Sequence, residues 1–304
     1  MARIEIVHTT RYDYHNPVGL MRHRLMVRPD DSHDLRLHRA SLDIDPQPSS
    51  IHWSHDPFNN SICLLEWPQS MLTRHLEVVS TLDLTHHPEG PPLPRFSLDP
   101  DATDFPFAYA AEEMPDLAAL VTPADDDPAG TVAAWAQRFI VEGGGRTLGM
   151  IEAMTHAIRA EFRYGARHEE GTQTAAETLA LGAGTCRDFA VLMIEALRSF
   201  GLAARFVTGY LYDDLSGETR GGGSTHAWCS VYLPGAGWVE YDPTNGLVAG
   251  SNLIRVGVTR IASQASPITG AFIGGNGDFA GLSVDVQVTG RAVHGRDHGG
   301  EAVP

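Results

Sequence analysis

The chain has 304 residues, which favours two domains over one at the usual ~100–200 residues per domain. Its composition, with 42% hydrophobic and 20% charged residues, is that of a globular protein that can bury a sizeable core. The formal net charge of -16 argues against binding to nucleic acid or to anionic membranes, because both require a basic face.

The first ~85 residues contain short runs of β-branched and aromatic residues that are separated by turn residues. Runs of this length and spacing are typical of an antiparallel sandwich or barrel. We therefore predict an N-terminal β domain over residues 1–85. Its strands are expected at residues 3–14, 20–27, 35–44, 50–53, 61–67 and 76–84.

Residues 86–106 are rich in proline, which restricts φ and cannot donate a backbone hydrogen bond. They predict a stiff, extended linker. Residues 107–290 are predicted to form the second domain, and the small polar residues of 291–304 predict a disordered tail. The predicted fold class is α+β, with an antiparallel β domain followed by a core in which a cysteine-bearing helix packs on an antiparallel sheet.

Within the second domain, apolar residues recur at helical spacing over residues 147–162, and a glycine run ends an earlier helical segment at 131–141. A further helix is predicted from Cys186. Strands are predicted from Arg205 onward, and a last β stretch is expected at residues 282–288. Helices therefore precede strands in this domain.

Cys186 is predicted to lie in the first turn of its helix, because Thr185 is a typical N-cap residue and Gly201 a typical residue after a helix end. The free N–H groups and the positive end of the helix dipole favour a thiolate at this position. A thiolate is the nucleophile that acyl transfer needs, and the same N–H groups can stabilise an oxyanion. The helix packs on a core through an apolar stripe of Phe189, Leu192, Met193, Ala196, Leu197 and Phe200.

Two β-rich runs flank residues 234–237 and predict a hairpin. Opposed residues of an antiparallel pair share a face and have a constant index sum. Any even sum places His226 and Asp242 on one face within about one diagonal step, whereas an odd sum places them on opposite faces. In an even register, Asp242 can accept a hydrogen bond from one ring nitrogen of His226 and orient the other nitrogen toward a thiol.

Four segments keep the order Cys, His, Asp along the chain: GTCRDFA at 184–190, GLAARFVTGY at 201–210, THAW at 225–228 and GWVEYDPTN at 237–245. Together they resemble the transglutaminase-like superfamily over about residues 150–250. Residues 6–14 and 24–29 resemble the β domain that precedes this core in bacterial members.

The resemblance implies a papain-like core of the kind found in transglutaminase-like cysteine proteases. It implies Cys186 as the nucleophile, His226 as the general base and acid, and Asp242 as the residue that orients the imidazole. Tyr164 and Trp228 are candidates for a second oxyanion donor or substrate contact beside the N–H group of Cys186. Gln173 is a further candidate by analogy with papain-like enzymes.

These residues predict a cysteine-dependent amide hydrolase, a peptidase or amidase that acts on a peptide or protein substrate through a thioester intermediate. The alternative is a transglutaminase, in which an amine instead of water resolves the thioester. The choice depends on water exclusion and on an acceptor groove, neither of which is visible in the sequence. The glycine-rich loop at 213–223, just before His226, could gate the cleft or be a plain solvent loop.

Two other classes of function are considered. A zinc site of Cys186, His226 and Cys229 is disfavoured because the last two residues have opposite parity on a strand, and no metal or cofactor is predicted. A non-enzymatic binding module could use the N-terminal β domain as its docking surface, although its large aromatic side chains are more often core residues. Those side chains are Trp53, Phe58 and Trp67.

The cysteine content indicates a reducing compartment, since the odd, sparse set of Cys63, Cys186 and Cys229 is no disulfide framework. Cys63 and Cys229 are expected in the core. No run of about 18 apolar residues is present, and the first residues lack the apolar stretch of a signal peptide. We therefore expect a cytoplasmic protein without membrane contact, whose oligomeric state the sequence does not predict.

Overall fold

The computed structural model of the protein describes residues 2–87, 98–165, 171–212, 225–248, 252–275 and 277–292. Residues 88–97 of the predicted linker and the whole of the loop at 213–223 lie outside these ranges. The predicted tail also lies outside them, apart from residues 291 and 292, which belong to the last strand.

The N-terminal strands lie where the sequence predicts them, although several are longer than expected. In chain order they are β1 (Ala2–Leu20), β2 (His23–Arg28), β3 (Leu35–Asp45), β4 (Ser50–His55), β5 (Ser61–Glu66) and β6 (Thr73–His86). Burial alternates along β6 over most of its length, as in a strand with one covered face. The two sheets of this domain carry β1, β6 and β3 in one and β2, β5 and β4 in the other. They share an apolar cluster that includes Val18, Leu25, Cys63, Leu65 and Val78, so this region is an antiparallel sandwich.

The linker prediction is wrong for the described residues 98–106. Pro100–Ala102 forms a short 3-10 helix, Ala102 is buried, and the ring of Phe105 packs 5.4 Å from that of Phe200. Proline was the dominant local signal, but the apolar side chains between the prolines dock on the core, because burial removes them from water.

The core contains helices α1 (Met114–Val121), α2 (Thr131–Glu142), α3 (Thr147–Glu161), α4 (Ala175–Leu181) and α5 (Cys186–Ser199). Of these, α2, α3 and α5 begin and end close to the predicted positions, whereas α1 and α4 were not predicted. The core strands are β7 (Arg163–Tyr164), β8 (Ala183–Gly184), β9 (Ala204–Leu211), β10 (Thr225–Leu233), β11 (Gly237–Asp242), β12 (Leu247–Val248) and β13 (Leu253–Thr259). Five of these described strands form an antiparallel sheet in the order β12-β11-β10-β9-β13, on which α5 packs.

Helix α5 is covered on nearly all sides and is not limited to one apolar stripe. Its Glu195 and Arg198 side chains are buried and form an ion pair of 2.9 Å. Arg198 also donates to the carbonyl oxygens of Leu120, Ala204 and Arg260. Charged residues are buried in proteins when they are paired and hydrogen-bonded in this way.

The last strands return to the N-terminal sheets, which corrects the predicted core boundary of 107–290. They are β14 (Ile268–Thr269), β15 (Phe272–Ile273) and β16 (Phe279–Ala292), and they pair with β2, β1 and β1 respectively. Strand β16 covers one edge of β1, and its Val286 joins the cluster of Ile4 and Ile6. Covering an edge strand satisfies backbone groups that would otherwise be open to pairing with other chains. The α+β fold class is confirmed. Strand β1 from the start of the chain pairs with β16 from its end, so the last strand belongs to the N-terminal sandwich.

Candidate active site

Cys186 is the first residue of α5 and its side chain is nearly buried, with 7% of the residue exposed. Thr185 is the N-cap residue, as predicted, and has an extended conformation. Its N–H and its hydroxyl both donate to Oδ2 of Asp188, at 2.8 Å and 2.9 Å. The first turn of the helix is therefore fixed by the buried carboxylate of Asp188, a residue that the sequence analysis did not single out.

Asp188 also connects this turn to the loop before α4, because its Oδ1 accepts from the backbone N–H of Gln173 at 2.8 Å. Gly184 makes room for the carboxylate. A Cβ atom on Gly184 would stand 2.8 Å from Cβ of Asp188 and 3.2 Å from its Oδ2. A side chain at Gly184 would therefore clash with Asp188, which explains why glycine fits at this position.

The hairpin of β10 and β11 has an even register, since Cys229 opposes Tyr241 and Ser230 opposes Glu240. His226 and Asp242 therefore share a face, which the sequence alone left open. The Nε2 atom of His226 lies 2.9 Å from Oδ2 of Asp242, and both side chains are completely buried. The structure brings the imidazole and the carboxylate into direct contact.

Asp242 is held by the turn that follows it. Its Oδ1 accepts from the backbone N–H groups of Thr244 and Asn245, at 2.9 Å and 3.3 Å, and its Oδ2 accepts from Nδ2 of Asn245 at 2.8 Å. Burial raises the pKa of Asp242, but His226 and Asn245 lower it more, so the pKa lies below its ordinary value. Asn245 was missed as a site residue, although the Asp-Pro-Thr-Asn turn was a signal for it.

His226 lies against Cys186. Burial lowers the pKa of His226, whereas Asp242 and the nearby Cys186 raise it, and the net result is a pKa of about 10. With Nε2 bonded to Asp242, the other ring nitrogen, Nδ1, is left for the thiol. Nδ1 is buried. Within the described part of the chain it forms no hydrogen bond, and this includes the sulfur of Cys186. Asp242 and Cys186 therefore stabilise the protonated form of the imidazole, which favours the transfer of the thiol proton to His226.

Two of the three additional site candidates lie near these residues. The ring of Trp228 is buried and stacks on that of His226 with centroids 6.0 Å apart. Tyr164 ends β7, which pairs with β8, and β8 ends two residues before Cys186. Gln173 is turned elsewhere, because its Oε1 accepts from the hydroxyl of Thr178 at 3.0 Å. A role of any of them in binding an oxyanion stays a prediction.

The other two cysteines are core residues, as predicted. Burial raises the pKa of Cys63 to about 11 and raises that of Cys229 well above its ordinary value. Among the described residues, no group of three or more His, Cys, Asp or Glu side chains is arranged to hold a metal ion. Within the same ranges, no helix is both long and apolar enough to cross a bilayer.

The aromatic side chains considered for a docking surface differ in their burial. Trp67 is buried in the sandwich, and Phe58 packs against the core sheet near Trp228. Trp53 is 40% exposed, with the Arg28 guanidinium 5.5 Å above its ring. The expectation that these aromatic side chains are core residues is therefore wrong for Trp53, which lies on the exposed strand β4.

Family models match both regions of the chain. The model described as the transglutaminase-like superfamily matches residues 133–243, and the model described as the bacterial transglutaminase-like N-terminal region matches residues 4–85. The resemblance that the motifs indicated is therefore confirmed. Both regions of the fold have counterparts in known families.

Similar proteins cover nearly the whole chain. An uncharacterized protein of Mycobacterium tuberculosis is 29% identical over 299 residues, which are 93% of this chain and 92% of the relative. One from Mycobacterium leprae is 38% identical over 109 residues, 35% of this chain and 37% of the relative. A solved structure from Cytophaga hutchinsonii, described as a candidate cysteine protease, is 17% identical with a TM-score of 0.66. That match covers 97% of this chain and 92% of the other and shows the similarity of the folds.

Proposed function

Because the chain belongs to the transglutaminase-like superfamily, with its core at residues 133–243, we propose that it is a cysteine-dependent amide hydrolase. Its substrate is a peptide or protein, and Cys186, His226 and Asp242 form its catalytic triad. The observation that carries the proposal is the buried contact of His226 with Asp242 beside the nearly buried thiol of Cys186. A peptidase or amidase requires such a nucleophile, base and orienting carboxylate.

In the proposed reaction, Nδ1 of His226 takes the proton of the Cys186 thiol, and the sulfur attacks the amide carbonyl carbon. The first-turn N–H groups of α5 donate to the oxyanion that forms in this proposed step, since such groups have no acceptor within a helix. His226 then gives its proton to the leaving amine, and a thioester remains. Water attacks the thioester, again with His226 as the base, and the carboxylic acid leaves while the thiol is restored.

Asp242 contributes by holding the ring and stabilising its positive charge. The carboxylate accepts the Nε2–H bond, so the tautomer that presents Nδ1 to the sulfur is favoured. Its bonds to Thr244 and Asn245 keep the oxygen atoms in place. Orientation of this kind lowers the reorganisation that the reaction requires.

The alternative is a transglutaminase, in which a primary amine attacks the thioester. Family membership supports this alternative as well as hydrolysis, because the two reactions share the thioester step. A glutamine-containing peptide incubated with a labelled primary amine separates them. Release of ammonia without incorporation of the amine supports hydrolysis, and incorporation of the label supports transamidation.

The decisive variant is Cys186→Ala, assayed on a peptide library with mass spectrometry of the products. We expect loss of turnover with the folded state retained, because the substitution removes only the sulfur atom and keeps Cβ at the helix start. Iodoacetamide provides a matched control: it should modify the wild type at Cys186 and leave the buried Cys63 and Cys229 unmodified. Turnover at the wild-type rate in a folded Cys186→Ala protein would refute the proposal.

A further inference from the structure

A cavity of about 500 Å³ lies beside the proposed active site, on the face of α5 that carries Arg187 and Glu195. Its other walls are formed by the loop at residues 171–174 and by residues 260–266. The triad itself does not line it. Arg187, however, directly follows Cys186, and neighbouring Cα atoms are ~3.8 Å apart. The size is sufficient for a side chain and part of a peptide backbone.

Two guanidinium groups in the cavity wall have unused hydrogen-bonding capacity. Among the described residues, the Arg187 side chain donates one hydrogen bond, to the carbonyl oxygen of Ala262 at 2.6 Å, and its guanidinium lies 5.0 Å from the ring centre of Phe206. Arg260 makes no side-chain hydrogen bond or ion pair with the described residues, although its carbonyl oxygen accepts from Arg198. Each guanidinium has five N–H donors, so most of these donors are left for water or a ligand.

The acidic side chains of the same wall are occupied by other groups. Glu195 accepts from Arg198 with one oxygen, and from the backbone N–H groups of Ala124 and Asp125 with the other. Asp125 accepts from the N–H of Ala175 at the start of α4. Within the part of the chain that the structure describes, the two arginines therefore line the cavity without an acidic side chain bonded to either of them. An anionic group is the ligand that complements two such guanidinium groups.

The cavity is connected to the thiol through the helix start. Asp188 bonds to the N–H of Gln173, which lines the cavity, and to the N–H of Thr185, which precedes Cys186. The loop wall and the nucleophile are thus attached to the same carboxylate. Because Arg187 directly follows Cys186, we expect the residues next to a scissile amide at Cys186 to reach this cavity.

We propose that the cavity is a subsite for a carboxylate of the substrate, bound by Arg187 and Arg260. The proposal rests on the proposed function in that the scissile amide lies at Cys186. Two sources of the carboxylate share this chemistry, an acidic side chain and the C-terminus of a peptide. Neutral amides of the same shape cannot form the ionic component of the contact.

Three small probes test the subsite by calorimetric titration of the folded Cys186→Ala protein. N-acetylglutamate α-amide carries only the side-chain carboxylate, N-acetylglutamine only the terminal carboxylate, and N-acetylglutamine α-amide neither. We expect one of the carboxylates to bind about tenfold more tightly than the neutral probe, the usual effect of a charged hydrogen bond. The probe that binds more tightly identifies the source. Equal binding of all three probes would overturn the subsite.

Arg260→Gln should abolish the preference for a carboxylate, and Arg260→Lys should retain part of it. Arg22→Gln is the matched control, because Arg22 is 66% exposed and pairs with Glu66 in the N-terminal sandwich. The preference should persist in that protein. A preference that survives unchanged in a folded Arg260→Gln protein would place the carboxylate elsewhere and contradict the assignment.

A second measurement connects the cavity with the nucleophile. In the wild type, the preferred probe should slow alkylation of Cys186 by iodoacetamide, whereas the neutral probe at the same concentration should do so far less. Tight binding of the preferred probe without protection of Cys186 would contradict the subsite. It would not contradict the proposed catalytic triad. Turnover by the Cys186→Ala protein would instead reject the proposed function, and the titrations would still decide whether the arginines bind a carboxylate.

Discussion

The imidazole of His226 and the carboxylate of Asp242 are joined by a 2.9 Å hydrogen bond across the β10–β11 hairpin, and neither side chain is exposed. The same oxygen of Asp242 also accepts from Nδ2 of Asn245, and the other oxygen accepts from the backbone N–H of Thr244. The imidazole can therefore turn only if this hydrogen bond breaks. The contact controls which ring nitrogen faces Cys186, and it is the first target for substitution.

Asp242→Asn should reduce turnover by about 10²–10⁴-fold, because an amide neither stabilises the imidazolium nor selects the required tautomer. The decrease should be in kcat, measured on a substrate from the peptide library, while the protein stays folded by circular dichroism. Asp43→Asn, on the exposed strand position of β3, should leave kcat unchanged. An Asp242→Asn protein with wild-type kcat would show that the carboxylate does not orient the base.

Stability should depend on pH through His226. Its pKa is raised from 6.5 to about 10 in the folded protein by Asp242 and Cys186, which outweigh burial. The resulting stabilisation is fully present below about pH 6.5 and is lost as the pH rises toward 10, with a slope of up to ~1.4 kcal/mol per pH unit. Urea titrations of the wild type and of His226→Gln at several pH values measure the difference. A difference that stays constant from pH 6.5 to 10 would contradict the raised pKa.

Gly184→Ala should destabilise the protein by about 1–3 kcal/mol, because the added Cβ atom overlaps with the Asp188 side chain. Displacement of that carboxylate should also change the rate at which iodoacetamide modifies Cys186. Gly165→Ala is the matched control, since a Cβ atom there meets nothing within 4 Å. Equal free energies of unfolding for the two variants would show that Asp188 does not depend on the glycine.

Arg198→Met should lower the free energy of unfolding by about 3–5 kcal/mol, because it leaves the buried carboxylate of Glu195 without its charged partner. Arg146→Met removes an exposed pair with Asp104, whose side chain is 73% exposed, and should cost less than about 1 kcal/mol. Urea denaturation of both variants measures the contrast. Similar losses in the two proteins would indicate that the buried pair is not structurally required.

Several features could be predicted because they depend on residues close in sequence. The start of α5 at Cys186 follows from a capping threonine and an apolar repeat, and the β10–β11 hairpin follows from its turn residues. The family motifs that contain Cys186, His226 and Asp242 are equally local. Such signals arise because hydrogen bonds in helices and tight turns join residues only a few positions apart.

Other features were decided by contacts between residues far apart in the chain. The burial of Glu195 with Arg198 and the return of β16 to β1 belong to this group, and the even register of the hairpin was seen only in the pairing of β10 with β11. A strand's alternation shows which residues share a face, but the same alternation is compatible with several partners and registers. Likewise, the spacing of two opposite charges on a helix is the same in the sequence whether the pair is exposed to water or buried in protein. Only the packing of distant elements chooses between these states, because that packing determines which surfaces are removed from water.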